Sequence, residues 1–177
     1  MTPDFSHNHF QLFGLPVAYG VDSARLERGY RDLQSRVHPD RFAASSDAEK
    51  RVAMQWAARA NEAYRTLRDP VERARYLLNL KGYDTAEETW TAMPPDFLMQ
   101  QMEWREAVAE ARQAADAHGL RHLHTEISAA RKDMLGLLQR ALDAEANYDA
   151  ACSLVRKLRF LDKLDLEIDE ALEPLSH

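Results

Sequence analysis

The residues best suited to chemistry in this 177-residue chain are His38 and Asp40, which flank Pro39. An imidazole and a carboxylate at this spacing could exchange a proton. Nothing nearby, however, supplies a nucleophile, a glycine-rich phosphate loop or a metal-ligand cluster to complete a catalytic site. Proline restricts the backbone, so the turn would hold both side chains outward with little entropy to lose on binding. The tripeptide therefore predicts a recognition turn, and no catalytic residue is assigned.

A helix must position this turn from its N-terminal side. Asp22 is a favourable N-cap, and the residue before Pro39 is pushed out of helical geometry, so the helix would span the residues between them. Its apolar residues fall within one narrow arc: Leu26, Tyr30, Leu33 and Val37. Four arginines form a basic face on the other side: Arg25, Arg28, Arg31 and Arg36. A charged face usually only keeps a helix solvated, but this one leads into the turn of an acidic protein, which favours docking on an acidic partner.

A second helix must follow the turn. After a short polar loop over residues 41–45, Ser46 and Glu49 form a capping-box pattern that predicts a helix start. The predicted inward face is rich in small residues, which allow close packing: Val52, Ala53, Trp56, Ala57, Ala60, Ala63, Tyr64 and Leu67. Pro70 suits the first turn of a further helix, and Gly82 would end it.

The rest of the chain predicts a separate bundle. Residues 81–95 include Pro94-Pro95, lack periodicity and are interpreted as a linker. Three long helical patterns follow, over about residues 96–117, 120–143 and 148–172, with Gly119 ending the first. Short connections favour an antiparallel three-helix bundle. The predicted fold is all-α: a helical hairpin with flanking helices over residues 1–80, the linker 81–95, and a C-terminal three-helix bundle over residues 96–177.

Helical spacing also predicts the bundle core. The first helix contributes Phe97, Trp104, Val108, Ala111 and Ala115. The second contributes a heptad-like series of Leu120, Leu123, Ile127, Ala130, Met134, Leu137 and Ala141. The third contributes Ala151, Leu154, Val155, Leu158, Leu161 and Ile168. Each series accounts for one face of its helix.

Two of these helices carry apolar residues that the core does not need. Leu98, Met99 and Met102 lie roughly 100–200° from Phe97 on the wheel, and Phe160 lies roughly opposite the Leu154–Leu158–Leu161 series. Three glutamates share the first of these surplus faces: Glu103, Glu106 and Glu110. The surplus residues could pack against the N-terminal half or fill a broad core. Alternatively, they form an exposed apolar patch with an acidic rim, a surface typical of protein-binding sites.

Composition restricts the functions that remain. The formal net charge of −6 argues against nucleic acid as the main partner, and no apolar run approaches the length that spans a membrane. The N-terminus resembles neither a secretory signal nor a transit peptide. A single cysteine, Cys152, excludes an internal disulfide and is expected to be a buried or half-buried thiol. The histidine pairs 7/9 and 118/122 lack further ligands, so no metal or other cofactor is expected.

The arrangement of helix, His38-Pro39-Asp40 and helix resembles the J-domain, the module that triggers ATP hydrolysis in DnaK-type chaperones. The stretch Asn61-Glu62-Ala63-Tyr64, followed by Leu67 and a charged turn, resembles the signature of that module. So does the opening Phe10-Gln11-Leu12-Phe13-Gly14-Leu15. Together with the C-terminal bundle, the chain resembles the HscB family of iron–sulfur co-chaperones from Phe10 onward. The long stretch Val155–Leu164, with sequence VRKLRFLDKL, best separates this family from other J-proteins.

The resemblance implies a division of labour. The recognition turn, the basic face and Arg41 would engage the specialised ATPase HscA. The bundle would hold the scaffold protein IscU through residues that match the family's scaffold surface: Leu98, Met99, Met102, Glu103, Glu106, Glu110 and Phe160. Arg41 replaces a lysine common in the family but keeps its charge. The zinc-binding extension and presequence of eukaryotic members are missing, which favours a bacterial cytoplasmic protein. The rival interpretations are a general J-domain co-chaperone with other clients and a small helical enzyme or ligand carrier.

Overall fold

The computed structural model of the chain describes residues 6–85 and 94–175, and every regular element in these ranges is a helix. The α-helices are α1 (His9–Leu12), α2 (Ser23–Val37), α3 (Asp47–Arg68), α4 (Pro70–Leu80), α5 (Pro95–Gln113), α6 (Ala117–Gln139) and α7 (Tyr148–Leu172). Single 3₁₀ turns occupy Pro39–Phe42 and Glu173–Leu175, and a π-helical turn over Arg140–Ala144 extends α6. The predicted all-α fold is confirmed. None of the described helices has both the length and the apolar character needed to cross a bilayer.

The chain divides into two compact units, Met1–Leu80 and Lys81–His177. Most of the predicted linker, residues 86–93, lies outside the described residues. In the first unit, α1, α2 and α4 all pack on α3. Ala60 and Ala63 of α3 are fully buried, and their small side chains let neighbouring helices approach closely. The prediction was wrong at Val52, which is 46% exposed, because this residue lies at the edge of the buried arc one turn before Trp56.

The short helix α1 is held at both ends. Asn8 and Gln11 form a reciprocal capping box at its start. Gly14 follows its end with a φ of +63°, a left-handed conformation that glycine adopts without steric cost. Phe13 lies directly against Gly29 of α2, where an added Cβ would come within 2.9 Å of Phe13 atoms. Glycine at this position therefore allows Phe13, which follows α1, to pack closely against α2.

A polar bridge fixes α2 on α3. The Tyr30 hydroxyl donates a hydrogen bond to Asn61 Oδ1 at 2.8 Å, and the Gln34 side-chain amide donates to the same oxygen at 3.0 Å. The Tyr30 ring also stacks on Tyr64, with centroids 4.1 Å apart and planes 15° from parallel. These part-buried contacts set the rotation of α2, because each depends on one helical face meeting one position on α3.

The second unit packs α5, α6 and α7 around one core. Its largest fully buried side chains include Leu120 and Ile127 of α6 and Leu161 and Ile168 of α7. The α6–α7 contact is the most extensive of the three and carries an ion pair between Arg131 and Asp162, with 2.6 Å between Nε and Oδ1.

The register of α6 differs from the heptad-like prediction near its end. Leu137 is 43% exposed, whereas Leu138 is fully buried. Leu120 and Leu138 are eighteen residues apart, which is five turns at about 3.6 residues per turn, so both face the core. Positions spaced by a strict seven-residue repeat rotate by about 20° per heptad around such a helix. Continuing the repeat from Leu120 therefore led to Leu137 as the predicted core residue in place of Leu138.

The boundary between α5 and α6 also differs from the prediction. Gly119 does not end the first bundle helix: α5 stops at Gln113, and Gly119 lies in the first turn of α6. Asp116 caps that turn by accepting the backbone N–H of Gly119 at 2.9 Å. A Cβ at Gly119 would lie 2.5 Å from the Asp116 carboxylate, so the glycine makes room for the cap. Ala115, assigned to the core, is exposed in the turn with a φ of +51°.

Cys152 is buried on α7, as expected from the sequence. Burial raises the pKa of its thiol, which therefore stays protonated and packs as a small apolar side chain. Within residues 6–85 and 94–175, no group of three or more His, Cys, Asp and Glu side chains is arranged to hold a metal ion.

Candidate functional site: a recognition turn and an apolar helix face

The recognition turn (residues 38–40) leaves α2 with both polar side chains in solvent. His38 terminates α2 in an extended conformation (φ −60°, ψ 134°), as the following proline requires. The His38 and Asp40 side chains are 59% and 90% exposed. His38 Nδ1 accepts the Asp40 backbone N–H at 3.3 Å, so the proton of the neutral ring lies on Nε2. The turn thus offers one N–H donor and one carboxylate to a partner.

Arg41 anchors the turn to the helix before it. Its guanidinium donates to the Ser35 carbonyl of α2 at 3.2 Å, and its backbone N–H donates to the His38 carbonyl at 3.0 Å. These bonds satisfy acceptors at the helix end that α2 itself leaves unpaired. Arg41 was assigned to partner binding, and its side chain also has this structural contact.

All four arginines of the basic face are exposed, but they are not equivalent. Arg25 donates to the Gly14 carbonyl, and Arg31 pairs with Glu27 one turn away. Neither Arg28 nor Arg36 has an ion-pair partner in the part of the chain that the structure describes. The charge most available to a partner is therefore that of Arg28 and Arg36.

On α5, the apolar residues divide between two faces. Phe97, Trp104 and Val108 are buried in the bundle core, and Trp104 Nε1 donates to Glu126 of α6 at 2.9 Å. The second face carries the apolar patch, whose members Leu98, Met99 and Met102 are 47%, 62% and 64% exposed. The acidic rim of Glu103, Glu106 and Glu110 is exposed beside it. The sequence left two alternatives for these three side chains, which were packing within the protein or forming an exposed patch. In the structure, they form an exposed patch.

Phe160 departs from the sequence interpretation, because it does not point away from the core. It is half-buried and packs at the edge of the core cluster. Its ring meets Phe97 edge to face, with centroids 5.9 Å apart and planes at 83°. The helical wheel misjudged Phe160 because α7 packs on both α5 and α6, and burial by two helices widens its apolar arc.

Two cations beside these rings were not predicted as site residues. The Arg105 guanidinium carbon lies 5.4 Å from the Phe160 ring centre, and Lys157 Nζ lies 5.0 Å from the Phe97 ring centre. Sequence spacing within one helix could not reveal these pairs, because each cation lies on a different helix from its ring. The sequence did contain one hint, because each cation lies on a helix that also carries a predicted site residue.

Comparison with known proteins identifies the family. A co-chaperone protein HscB homolog from Aromatoleum aromaticum is 50% identical, with the match covering 99% of both chains. The chain belongs to the HscB family of co-chaperones. The family model described as the HSCB C-terminal oligomerisation domain matches residues 93–169. Among HscB structures, that from Vibrio cholerae matches with a TM-score of 0.83 and 39% identity, covering 96% of this chain and 99% of that one. The human co-chaperone HscB matches with a TM-score of 0.90 and 29% identity, covering 97% and 85% respectively.

Membership in the HscB family assigns the chain a role as a co-chaperone in iron–sulfur cluster assembly. Its relatives are named as co-chaperones and not as enzymes, in agreement with the interpretation of the recognition turn as a binding element. The roles of individual residues in the turn, the basic face and α5 stay predictions.

Proposed function

We propose that this HscB-family chain is an adaptor between the DnaK-type chaperone HscA and the scaffold protein IscU in the bacterial cytoplasm. The N-terminal unit acts as a J-domain that stimulates ATP hydrolysis by HscA. The C-terminal unit delivers IscU, and the chain itself catalyses no reaction and uses no cofactor. The observation that carries this proposal is the presence of two exposed surfaces of opposite chemistry, one on each compact unit.

The recognition turn and the basic face form the proposed HscA surface. Arg28 and Arg36 attract an acidic surface of HscA and orient α2 on it. His38 and Asp40 then make short-range hydrogen bonds from a turn whose backbone is already fixed by Pro39 and the Arg41 contacts. Stimulation requires that these contacts be stronger in the hydrolysis-competent state of HscA than in its other states.

The apolar patch and the acidic rim form the proposed IscU surface. Methionine side chains adapt to an irregular apolar partner surface, and Met99 and Met102 are the most exposed members of the patch. The rim glutamates select basic groups on the partner. Phe160 contributes the accessible part of its ring beside Phe97. Binding HscA and IscU through one chain raises their effective concentration for each other.

The decisive experiment measures steady-state ATP hydrolysis by the cognate HscA-type chaperone with this chain, with IscU, and with both. Stimulation by both together should exceed the sum of the separate effects. Replacing Met99 and Met102 with alanine should remove the excess and leave stimulation by the chain alone intact. Stimulation that IscU does not enhance would keep the J-domain assignment and contradict the iron–sulfur scaffold assignment.

A further inference from the structure

Arg105, Phe160, Phe97 and Lys157 form a continuous cation–aromatic row where α5 meets α7. Arg105 lies over Phe160, Phe160 meets Phe97 edge to face, and Lys157 lies over Phe97. Arg105 is exposed and Lys157 is half-buried, so both charges remain within reach of a docked protein.

Within the described residues, neither cation of this row is neutralised by an acidic side chain. No carboxylate lies within ion-pair distance of Arg105 or Lys157 among residues 6–85 and 94–175. Arg131, on the next helix, shows the contrasting arrangement, with Asp162 only 2.6 Å from its Nε. The aromatic rings reduce the hydration of the two row cations without supplying a counter-charge, which leaves them suited to an anion from outside.

The type of anion follows from the geometry. A guanidinium that lies over an aromatic ring keeps the N–H donors of its planar fork available, and a carboxylate can accept two of them. Extended polyanions such as nucleic acids are disfavoured, because the acidic rim lies on the same helix and the net charge of the chain is −6. A single acidic side chain of a protein fits this arrangement best.

The position of Arg105 relates this anion to the apolar patch. At about 100° per residue, Arg105 lies roughly 20° from Leu98 and 60° from Met102, and the acidic rim lies roughly 100–160° away on the far side of Leu98 and Met102. Leu98 and Met102 are therefore flanked by a positive charge on the α7 side and by negative charges on the other, and Met99, roughly 120° from Arg105, lies among those negative charges. A partner segment of matching polarity could dock in only one orientation.

We propose that Arg105, supported by Lys157, binds a carboxylate of the protein that docks on the apolar patch and so fixes the orientation of that protein. This inference rests on the proposed function, because it takes IscU as the docked protein. Arg105 would then act as a specificity-determining residue, while the apolar patch supplies most of the binding free energy.

The test measures the affinity of the full chain for purified IscU by isothermal titration calorimetry at several salt concentrations. Arg105→Met keeps an apolar stem over Phe160 and removes the charge. Arg112→Met is the matched control, since Arg112 is an exposed arginine of the same helix seven residues further on. Met99→Ala tests the underlying patch. Thermal unfolding of every variant shows whether the bundle stays folded.

Arg105→Met is expected to weaken IscU binding about tenfold, which corresponds to the contribution of one charge-assisted hydrogen-bonded pair. The affinity should also become less sensitive to salt. Arg112→Met should match the unchanged chain. Equal affinities for Arg105→Met and Arg112→Met, with binding still weakened by Met99→Ala, would overturn the Arg105 inference and leave the proposed function standing. Weaker binding with unchanged salt sensitivity would also overturn it, because Arg105 would then act only by holding Phe160. Failure of the unchanged chain to bind IscU would contradict both proposals.

Discussion

The recognition turn and the apolar patch expose opposite kinds of side chain. Around the turn, the apolar residues Leu26, Leu33 and Val37 are buried in the hairpin, and charged groups face solvent. On α5, one apolar set is buried and a second set remains exposed beside glutamates. The first surface is basic and the second is mainly acidic, so the two surfaces favour different partners. The difference shows how one chain can present two surfaces whose chemistry suits different partners.

The two surfaces also differ in rigidity. Backbone and side-chain hydrogen bonds hold the turn at the end of α2, so little conformational entropy is lost when it binds. Met99 and Met102 are unbranched side chains with several rotatable bonds, and their exposed parts must be ordered by the partner. A rigid surface suits a brief, geometrically demanding contact, and an adaptable one suits the holding of a client.

The largest expected effect comes from His38→Gln. This change removes the imidazole that receives the Asp40 N–H and presents Nε2 to solvent, so stimulation of the HscA ATPase should fall to the basal rate. IscU affinity should stay unchanged, because the apolar patch belongs to the other unit. Steady-state ATPase assays and calorimetry check the two results. His122→Gln, an exposed histidine of α6, is the matched control, and loss of both functions in His38→Gln would contradict the division of labour.

A second change tests the register of α6 in the bundle core. Leu138→Ala should reduce the free energy of unfolding by about 3 kcal/mol, because it leaves a cavity at a fully buried position. Leu137→Ala, at the neighbouring exposed position, should cost less than about 1 kcal/mol. Urea unfolding measures both. Equal costs would show that the register of α6 in the core is wrong.

The double variant Met99→Ala/Met102→Ala should weaken IscU binding about 30-fold, as expected if two largely exposed side chains become buried on docking. Its thermal unfolding should remain close to that of the unchanged chain. Leu166→Ala on α7 is the control, because Leu166 is 59% exposed and lies outside the patch. A similar loss of affinity from Leu166→Ala would mean that general surface hydrophobicity, and not the patch, binds IscU.

Arg28→Ala should raise the concentration needed for half-maximal ATPase stimulation about threefold and leave the maximal rate unchanged, because it removes steering charge and no turn contact. Raising the salt concentration should reduce the difference. Arg51→Ala, an exposed arginine of α3, controls for net charge. A lower maximal rate in Arg28→Ala would instead place Arg28 among the groups that trigger hydrolysis.

The smallest effect concerns the helix that follows the turn. Hydrogen bonds from the Ser46 backbone and hydroxyl lower the pKa of Glu49 below its ordinary value of 4.5. The ionised Glu49 carboxylate thus stabilises the folded state at pH values above 4.5, and this stabilisation is lost as the pH falls through the lowered pKa. Glu49→Ala should lower the melting temperature at neutral pH, and the deficit should shrink on acidification. A deficit independent of pH would contradict a role for the charge; Glu170→Ala is the exposed control.

The sequence predicted best what depends on neighbouring residues. Asp22 caps α2 and Pro39 ends it, and Ser46 and Glu49 cap α3, as expected from their spacing. The surplus face of α5 was predicted because one helix needs only one buried stripe. One error and one omission involve contacts between helices. The burial of Phe160 depends on Phe97, and the position of Arg105 depends on Phe160, so neither could be read from one helix alone. The error at Gly119 arose because the Asp116 cap was overlooked in favour of a glycine stop.

The bridge from Tyr30 and Gln34 to Asn61 has a mechanical consequence for the hairpin. A slide of α2 along α3 by one residue, about 1.5 Å, would stretch both hydrogen bonds to Asn61 and offset the Tyr30–Tyr64 stack. Small displacements are therefore opposed, and a large one requires the hairpin to open. Force that a bound partner applies to the recognition turn would therefore be transmitted along α2 to α3 through these contacts.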